Sequence, residues 1–119
     1  MSNPIVNVRR TTTYKDPDSH WRTVWMWCPG CDSAKGIPVP AEDGSLPPDG
    51  PHWSFDGNLE APTLNPSILQ YESGSVPRCH SYVVNGQWQF LSDCTHRLAG
   101  QTVDMVPLPD WLYREGDAS

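Results

Sequence analysis

Cysteine and histidine are the side chains of this chain whose type and spacing could do chemistry. They form two groups, Cys28-Pro29-Gly30-Cys31 and a segment that contains Cys79, His80, Cys94 and His96. Thiolate and imidazole together are typical of closed tetrahedral zinc sites, and nothing else in the sequence suggests electron transfer by iron. We therefore expect one Zn²⁺ site that joins two distant parts of the chain.

The turn Cys28-Pro29-Gly30-Cys31 lets two thiolates reach the same ion, and we expect Gly30 to adopt the positive φ that the turn requires. The same spacing occurs in redox proteins, where it opens a helix within a βαβ unit. Residues 32–51 show no helical period, and their second half is rich in Pro, Gly and Asp. The sequence therefore favours a metal site over a redox site.

A predicted β-hairpin positions the second group. Residues 81–84 and 87–91 are rich in β-branched and aromatic side chains and flank Asn85-Gly86, a strong signal for a two-residue type I′ turn. We therefore expect a tight antiparallel pair in which Val84 faces Gln87.

The register of this hairpin decides which side chains share its open end. Because side chains alternate along a strand, Cys79 and Cys94 fall on one face and His80 on the other. A short turn that begins near Asp93 would fold His96 back toward the same end. Cys79 therefore pairs either with Cys94 or with His96. His80 becomes a ligand only if the register slips by one residue.

The rest of the chain also shows the pattern of short strands and turns. Residues 5–14, 52–55 and 101–106 read as strands, and the strand 20–28 leads directly into the first cysteine turn. Because residues 62–69 contain two prolines, we expect this segment to be an edge strand or an ordered loop. We predict an all-β fold, built mainly from antiparallel hairpins, with at most one or two short helical turns.

Three tryptophans, Trp21, Trp25 and Trp27, fall on one face of the strand 20–28. Such a face could stack on sugars or on bases. A small domain must also obtain its buried area from its large side chains. We therefore expect this face to pack in the core.

Composition bounds the size and stability of the fold. With 119 residues, of which 37% are hydrophobic, and with 13 Pro and 9 Gly, the chain predicts one domain with a thin core and many turns. We place this domain at residues 1–113 and a frayed tail at 114–119. Because so small a core is marginally stable, a bound zinc ion is expected to act as a staple.

Charge and hydropathy restrict the partners. Eight Lys plus Arg against 14 Asp plus Glu give a net charge of −6, which disfavours a nucleic-acid partner and permits a protein partner. No apolar run is long enough for a membrane span, and the first residues do not resemble a secretory signal. Cysteines that are available to metal are typical of the cytoplasm. We therefore expect a cytoplasmic protein.

Three motifs carry a resemblance to a known family. They are WCPGC at 27–31, WSFDGN and PTLNPSIL at 53–58 and 62–69, and CH at 79–80 followed by DCTHRLAGQTV at 93–103. Residues 25–106 resemble a family of small uncharacterised proteins of bacteriophages and prophages, some of which carry the label ammonia monooxygenase, without support from the residues of this chain. The resemblance implies action in a host cytoplasm, with a host enzyme, a defence component or a phage structural protein as the candidate partner.

The resemblance also bears on the ligands. Family members often carry a His shortly after the Cys-Pro-Gly-Cys turn, where this chain has Ser33-Ala34-Lys35, and relatives can carry Ser in place of Cys94. His96 is thereby implied as the fourth ligand. The predicted zinc ligands are Cys28, Cys31, Cys79 and His96, with Cys94 in reserve and His80 after it.

The function expected from these observations is that of an accessory protein that resembles a zinc knuckle, has a structural zinc and acts through protein–protein contacts. The residues do not decide whether the chain is an enzyme, and we assign no catalytic residue. One alternative is a metal-dependent hydrolase with a zinc-bound water, for which Asp93, Glu60, His52 and His80 offer a general base. A second is a carbohydrate or single-strand nucleic-acid binder that uses exposed tryptophans.

Overall fold

A computed structural model of the chain describes residues 3–13, 15–16 and 18–114. These residues form eight strands and one short helix. They are β1 (Asn7–Thr12), β2 (His20–Cys28), β3 (Ser33–Val39), β4 (Ser54–Phe55), β5 (Leu64–Gln70), β6 (Cys79–Val84), β7 (Gln87–Phe90), β8 (Thr102–Asp104) and α1 (Asp110–Arg114). The predicted all-β class is confirmed. The structure contains no helix, within the described ranges, of the length and hydropathy that a membrane crossing requires.

The strands form two antiparallel sheets that share one core. The first has the order β1-β2-β3 and the second the order β4-β5-β6-β7-β8. Buried apolar side chains of both sheets belong to a single cluster, whose members include Val24, Met26, Ile37, Val39, Leu64, Ile68, Val83, Trp88 and Phe90. Of the predicted tail, residues 115–119 lie outside the described part of the chain, and the domain boundary stays a prediction.

The Asn85-Gly86 hairpin is confirmed. Val84 pairs with Gln87 and Val83 with Trp88 in an antiparallel register. Asn85 has φ 49° and Gly86 has φ 76°, the two positive values that a type I′ turn requires. The turn therefore fixes which side chains of β6 and β7 face the core.

The expectation that the tryptophan face of β2 packs in the core is wrong. Val24, Met26 and Cys28 are fully buried, whereas the tryptophans on the other face are half-buried. The face that carries the smaller side chains meets the second sheet, so burial there is set by the packing of the sheets. On the outer side, Trp27 instead contacts Trp111 edge to face at 6.4 Å.

The strand β3 was not predicted, because Gly36 and Pro38 interrupt its pattern. β3 is the edge of its sheet, where a proline without an N–H group is tolerated. A Cβ atom at Gly36 would lie 2.8 Å from the Trp25 ring, so glycine is needed for this close approach. The cysteine turn consequently joins two strands of a hairpin and does not open a helix.

The predicted edge position of residues 62–69 is also wrong, because β5 lies between β4 and β6. The pairing of β5 with β6 shifts between Leu64 and Ile68, and a cis Asn65-Pro66 peptide lies within that irregularity. A bulge of this kind accommodates a proline within an interior strand because the ladder is interrupted there. Ser67 lies in the same interruption.

Candidate functional site

The four predicted ligands meet where the two sheets end. Cys28 and Cys31 flank the turn between β2 and β3, Cys79 begins β6, and His96 belongs to the turns that follow β7. Their ligand atoms all lie within 4.8 Å of one another. These residues could therefore bind a metal ion.

The distances suit a tetrahedral ion. His96 Nε2 lies 3.4 Å from Cys79 Sγ. With metal–sulfur and metal–nitrogen bonds of about 2.3 and 2.0 Å, neighbouring ligand atoms of tetrahedral zinc lie roughly 3.5 to 3.8 Å apart. The cluster therefore has the size of such a site to within about 1 Å.

The pKa values of the three thiols in this cluster indicate that a bound cation is needed to ionise all of them. A hydrogen bond from the Cys79 thiol lowers the pKa of Cys28 to about 6, and the same contact raises the pKa of Cys79. Burial, followed by the nearby Cys28 charge, raises the pKa of Cys31. Three sulfur atoms this close can all be thiolates only when a positive ion replaces their protons.

A buried lysine beside the cluster supports the same conclusion. Lys35 is only 7% exposed, and its Nζ atom donates a hydrogen bond to Gln70 Oε1 at 2.8 Å. The Gln70 amide in turn donates to Cys31 Sγ at 3.4 Å. A divalent ion with three thiolates carries a net charge of −1, which the Lys35 ammonium would balance.

The expectation of a positive φ at Gly30 is wrong, and the positive value in this turn belongs to Asp32, with φ 55°. Gly30 is needed for a different reason. A Cβ atom there would lie 2.3 Å from Cε1 and 2.5 Å from Nε2 of His96. Glycine thus lets the backbone of the turn approach the imidazole.

The two reserve ligands, Cys94 and His80, lie outside this cluster. The buried Cys94 Sγ accepts a hydrogen bond from the His80 backbone N–H and donates one to the His80 carbonyl, both at 3.3 Å. Because side chains alternate along β6, Cys79 points into the cluster and His80 points to the opposite face. Cys94 therefore holds the backbone of His80.

On that opposite face, His80 forms hydrogen bonds with two side chains. Its Nε2 atom lies 3.1 Å from Ser67 Oγ, and its Nδ1 atom lies 3.2 Å from Asp93 Oδ2. A neutral imidazole with its proton on Nδ1 donates to Asp93 and accepts from the Ser67 hydroxyl. Both distances are within the range for a nucleophile, its general base and the carboxylate that orients the base.

The fold positions Ser67 and Asp93 from two sides of β6. Ser67 lies in the bulge of β5, and its carbonyl accepts a hydrogen bond from Trp53 Nε1 at 3.1 Å. Asp93 lies in the turn after β7, directly before the Cys94 that holds the His80 backbone. The same turn therefore places the Asp93 carboxylate next to the His80 side chain and the Cys94 thiol next to the His80 backbone.

Arg78 holds the Asp93 carboxylate. Its Nε atom lies 3.1 Å from Oδ2, the same oxygen that faces His80. Partial desolvation opposes ionisation of Asp93, but the hydrogen bonds from Arg78 and His80 outweigh it, and the pKa of Asp93 is lowered. Asp93 is therefore a carboxylate near neutral pH, as the orienting member of the group must be.

These three side chains lie on an open face of the sheet. A separate cleft of about 740 Å³ is lined by Arg10, Arg22 and Phe55, among others, and contains none of the three. The side chains of His80 and Asp93 are partly exposed. An open face of this kind is accessible to a polypeptide chain.

The signals for this second site are weak in the sequence. Ser67 was only part of a proline-containing segment, His80 was a reserve ligand, and Asp93 was a cap or a base beside zinc. Their alternation along the strands would have placed Ser67 and His80 on one face, but only with the correct pairing of β5 and β6. The cross-strand contact depends on the bulge, which sequence periodicity does not locate.

Comparison with known proteins identifies one family. A family model described as BubE, bacterial ubiquitination-like system serine protease, matches residues 3–91, a segment that includes Ser67 and His80 and ends before Asp93. No curated protein and no solved structure matches the chain. The match corrects the function expected from the sequence, because it indicates a protease in place of a zinc-stapled phage accessory protein or either of its alternatives. It shows no link to phages.

Proposed function

The chain belongs to the family described as bacterial ubiquitination-like system serine proteases (BubE), and on that premise we propose that it hydrolyses peptide bonds with Ser67 as its nucleophile. The observation that carries the proposal is the pair of hydrogen bonds that links Ser67 to His80 and His80 to Asp93, at 3.1 and 3.2 Å. Serine, histidine and aspartate in this order of contact form the arrangement that activates a hydroxyl group.

In the proposed reaction, Ser67 Oγ attacks the carbonyl carbon of the scissile bond while His80 Nε2 accepts the hydroxyl proton. The Asp93 carboxylate stabilises the imidazolium that forms and keeps its orientation. His80 then gives the proton to the leaving amine, which leaves an acyl group on Ser67. A water molecule, deprotonated by the same imidazole, releases the acyl group as a carboxylic acid.

The order of these residues along the chain is serine, histidine, aspartate. It differs from the orders found in chymotrypsin-like, subtilisin-like and α/β-hydrolase enzymes, which share the same geometry on unrelated folds. Recognition of such a site therefore rests on the contacts between its side chains and not on sequence spacing.

Zn²⁺ is the ion that we propose for Cys28, Cys31, Cys79 and His96, because three thiolates with one imidazole suit tetrahedral zinc. Burial is the largest cause that lowers the pKa of His96, which favours the neutral imidazole that a metal requires. When bound, the ion would fix Cys79, the residue that directly precedes His80. Its proposed effect on the reaction is therefore positional.

The protein partner expected from the sequence becomes, in this proposal, the polypeptide substrate, and the family name points to a component of a ubiquitination-like system. All four cysteines are free, which suits a reducing cytoplasm. The partner and the compartment are part of the proposal.

Substitution of the nucleophile tests this function. We expect Ser67→Ala to lower the cleavage of a fluorogenic peptide library by at least about a thousandfold, because the acyl intermediate cannot form. Ser54→Ala removes another serine hydroxyl, from the exposed position 54 of β4, and should retain activity. Circular dichroism would establish that both variants fold. Equal cleavage by the wild type and by Ser67→Ala would exclude Ser67 as the nucleophile.

A further inference from the structure

Exposed apolar side chains surround Ser67 and His80 on the outer face of the β5–β6 hairpin. Leu69 pairs directly with His80, and Tyr82 lies two residues further along β6 on the same face. Among the described residues, seven large apolar or aromatic side chains are exposed, and four of them belong to this hairpin. They are Leu69 (36% exposed), Tyr71 (68%), Val76 (43%) and Tyr82 (39%).

The hairpin register places these four side chains on one continuous face. Gln70 pairs with Cys79 and Ser73 with Val76, so Tyr71 and Val76 continue the outward positions of Leu69 and His80. Single exposed apolar residues are ordinary, but a contiguous group around a reactive site is typical of a binding surface. We define Leu69, Tyr71, Val76 and Tyr82 as the apolar face of the hairpin.

The charged side chains described on this face are already paired with one another. Arg78 contacts Asp93 at 3.1 Å and Glu72 at 3.6 Å, and its guanidinium lies 5.6 Å from the centre of the Tyr71 ring. A charged substrate side chain would therefore compete with contacts that Arg78, Asp93 and Glu72 already make. The apolar side chains, in contrast, can be covered without any loss of contacts.

We propose that the apolar face binds the substrate polypeptide and selects apolar side chains on either side of the scissile bond, with Leu69 and Tyr82 as the residues that determine this specificity. The proposal rests on the proposed protease function. Side chains on one face of an extended chain recur about every 6.6 Å. Leu69 lies two residues after Ser67 in β5, and Tyr82 lies two residues after His80 in β6, so both follow the same period. An extended substrate above Ser67 would therefore place alternate side chains on these two residues.

Binding to a catalytically inactive variant tests the proposal without cleavage. The probe is an acetylated octapeptide of alternating Ser and Leu, compared with one of alternating Ser and Asp, and titrated into Ser67→Ala by calorimetry. We expect the leucine peptide to bind at least about tenfold more tightly, since one apolar contact of this size is worth about 10- to 200-fold in discrimination. Equal affinities for the two peptides would overturn the proposal.

Variants locate the binding. In the Ser67→Ala background, Leu69→Ser and Tyr82→Ser should each weaken the leucine peptide about tenfold. Leu46→Ser changes an exposed leucine outside the hairpin and should leave the affinity unchanged. If Leu69→Ser and Tyr82→Ser bind the peptide as Leu46→Ser does, the apolar face is not the binding surface.

Failure of this proposal can be distinguished from failure of the proposed function. In a background with Ser67 intact, Leu69→Ser and Tyr82→Ser should lower kcat/KM for the leucine peptide about tenfold relative to its value for the aspartate peptide. Cleavage that depends on Ser67 but not on Leu69 or Tyr82 would overturn the specificity and leave the protease function intact. Binding that depends on these residues without any cleavage would support the apolar face and contradict the protease function.

Discussion

Replacement of Gly30 by alanine is predicted to remove His96 from the proposed zinc site, which consists of Cys28, Cys31, Cys79 and His96. The added Cβ atom would lie 2.3 Å from Cε1, 2.5 Å from Nε2 and 2.6 Å from Nδ1 of the imidazole. Ordinary contacts between such atoms are about 3.5 Å or longer, so the ring must move by about 1 Å. Ligand distances in zinc sites vary by only about 0.2 Å, so a movement of this size breaks the bond.

Loss of the imidazole should weaken zinc binding by at least about a hundredfold, because even changes to the partners of metal ligands cost 10- to 100-fold. At a fixed concentration of free zinc, a hundredfold weaker affinity lowers the free energy of unfolding by up to about 2.7 kcal/mol. The assay is competition for zinc with a chromogenic chelator, followed by thermal unfolding with and without zinc.

Gly36→Ala provides the matched control. Its Cβ atom would lie 2.8 Å from the Trp25 ring, a similar clash at a position away from the cluster. We expect it to destabilise the fold without changing the zinc affinity of the folded protein. A Gly30→Ala variant that binds zinc within twofold of the wild type would refute the assignment of His96 as a ligand.

Three further predictions concern single side chains. Asp93→Asn should lower kcat by about 10⁴-fold, because His80 loses the carboxylate that fixes its tautomer, and steady-state kinetics would measure this. Cys94→Ala should lower kcat about tenfold with unchanged zinc content, because the thiol that holds the His80 backbone is lost. Cys94→Ser keeps a hydroxyl at this position and should recover part of the rate. Loss of zinc from Cys94→Ala would instead make Cys94 a ligand. Hydrogen bonds, of which the one from the Ser45 N–H has the largest effect, lower the pKa of Asp43 to about 2. The ionised Asp43 therefore stabilises the folded protein above pH 3.8, and this contribution is lost as the pH falls toward 2. The stability difference between wild type and Asp43→Asn in urea should therefore shrink over that range, and a constant difference would contradict this assignment.

The meeting of Cys28, Cys31, Cys79 and His96 was predictable because its determinants are local turns. The Asn85-Gly86 turn fixes the register of its hairpin, and the spacing of Cys28 and Cys31 places two thiols on one turn. The choice of His96 over Cys94 required the path of the chain after β7. There the Ala99 N–H donates to the His96 carbonyl, and Gly100 has φ 76°. These turns return the imidazole to the cluster, as the sequence predicted.

The serine site was not predictable because its central contact depends on the exact register of two consecutive strands, and a bulge shifts that register. Ser67 and His80 meet across a strand pair whose register shifts at a bulge, and a shift of one residue would turn Ser67 to the other face. The buried face of β2 was misassigned for a related reason. The alternation of side chains along β2 correctly places Trp25 and Met26 on opposite faces, but only the position of the second sheet decides which of them is buried.

Covalent labelling of Ser67 tests the central claim most directly. A fluorophosphonate reacts with a serine hydroxyl that a neighbouring imidazole activates, and mass spectrometry of the intact protein and its peptides identifies the modified residue. The proposed site predicts one adduct, located on Ser67, which is absent in Ser67→Ala and forms far more slowly in His80→Gln. An unmodified protein, or an adduct that persists in Ser67→Ala, would contradict the assignment of Ser67, His80 and Asp93 as a catalytic group.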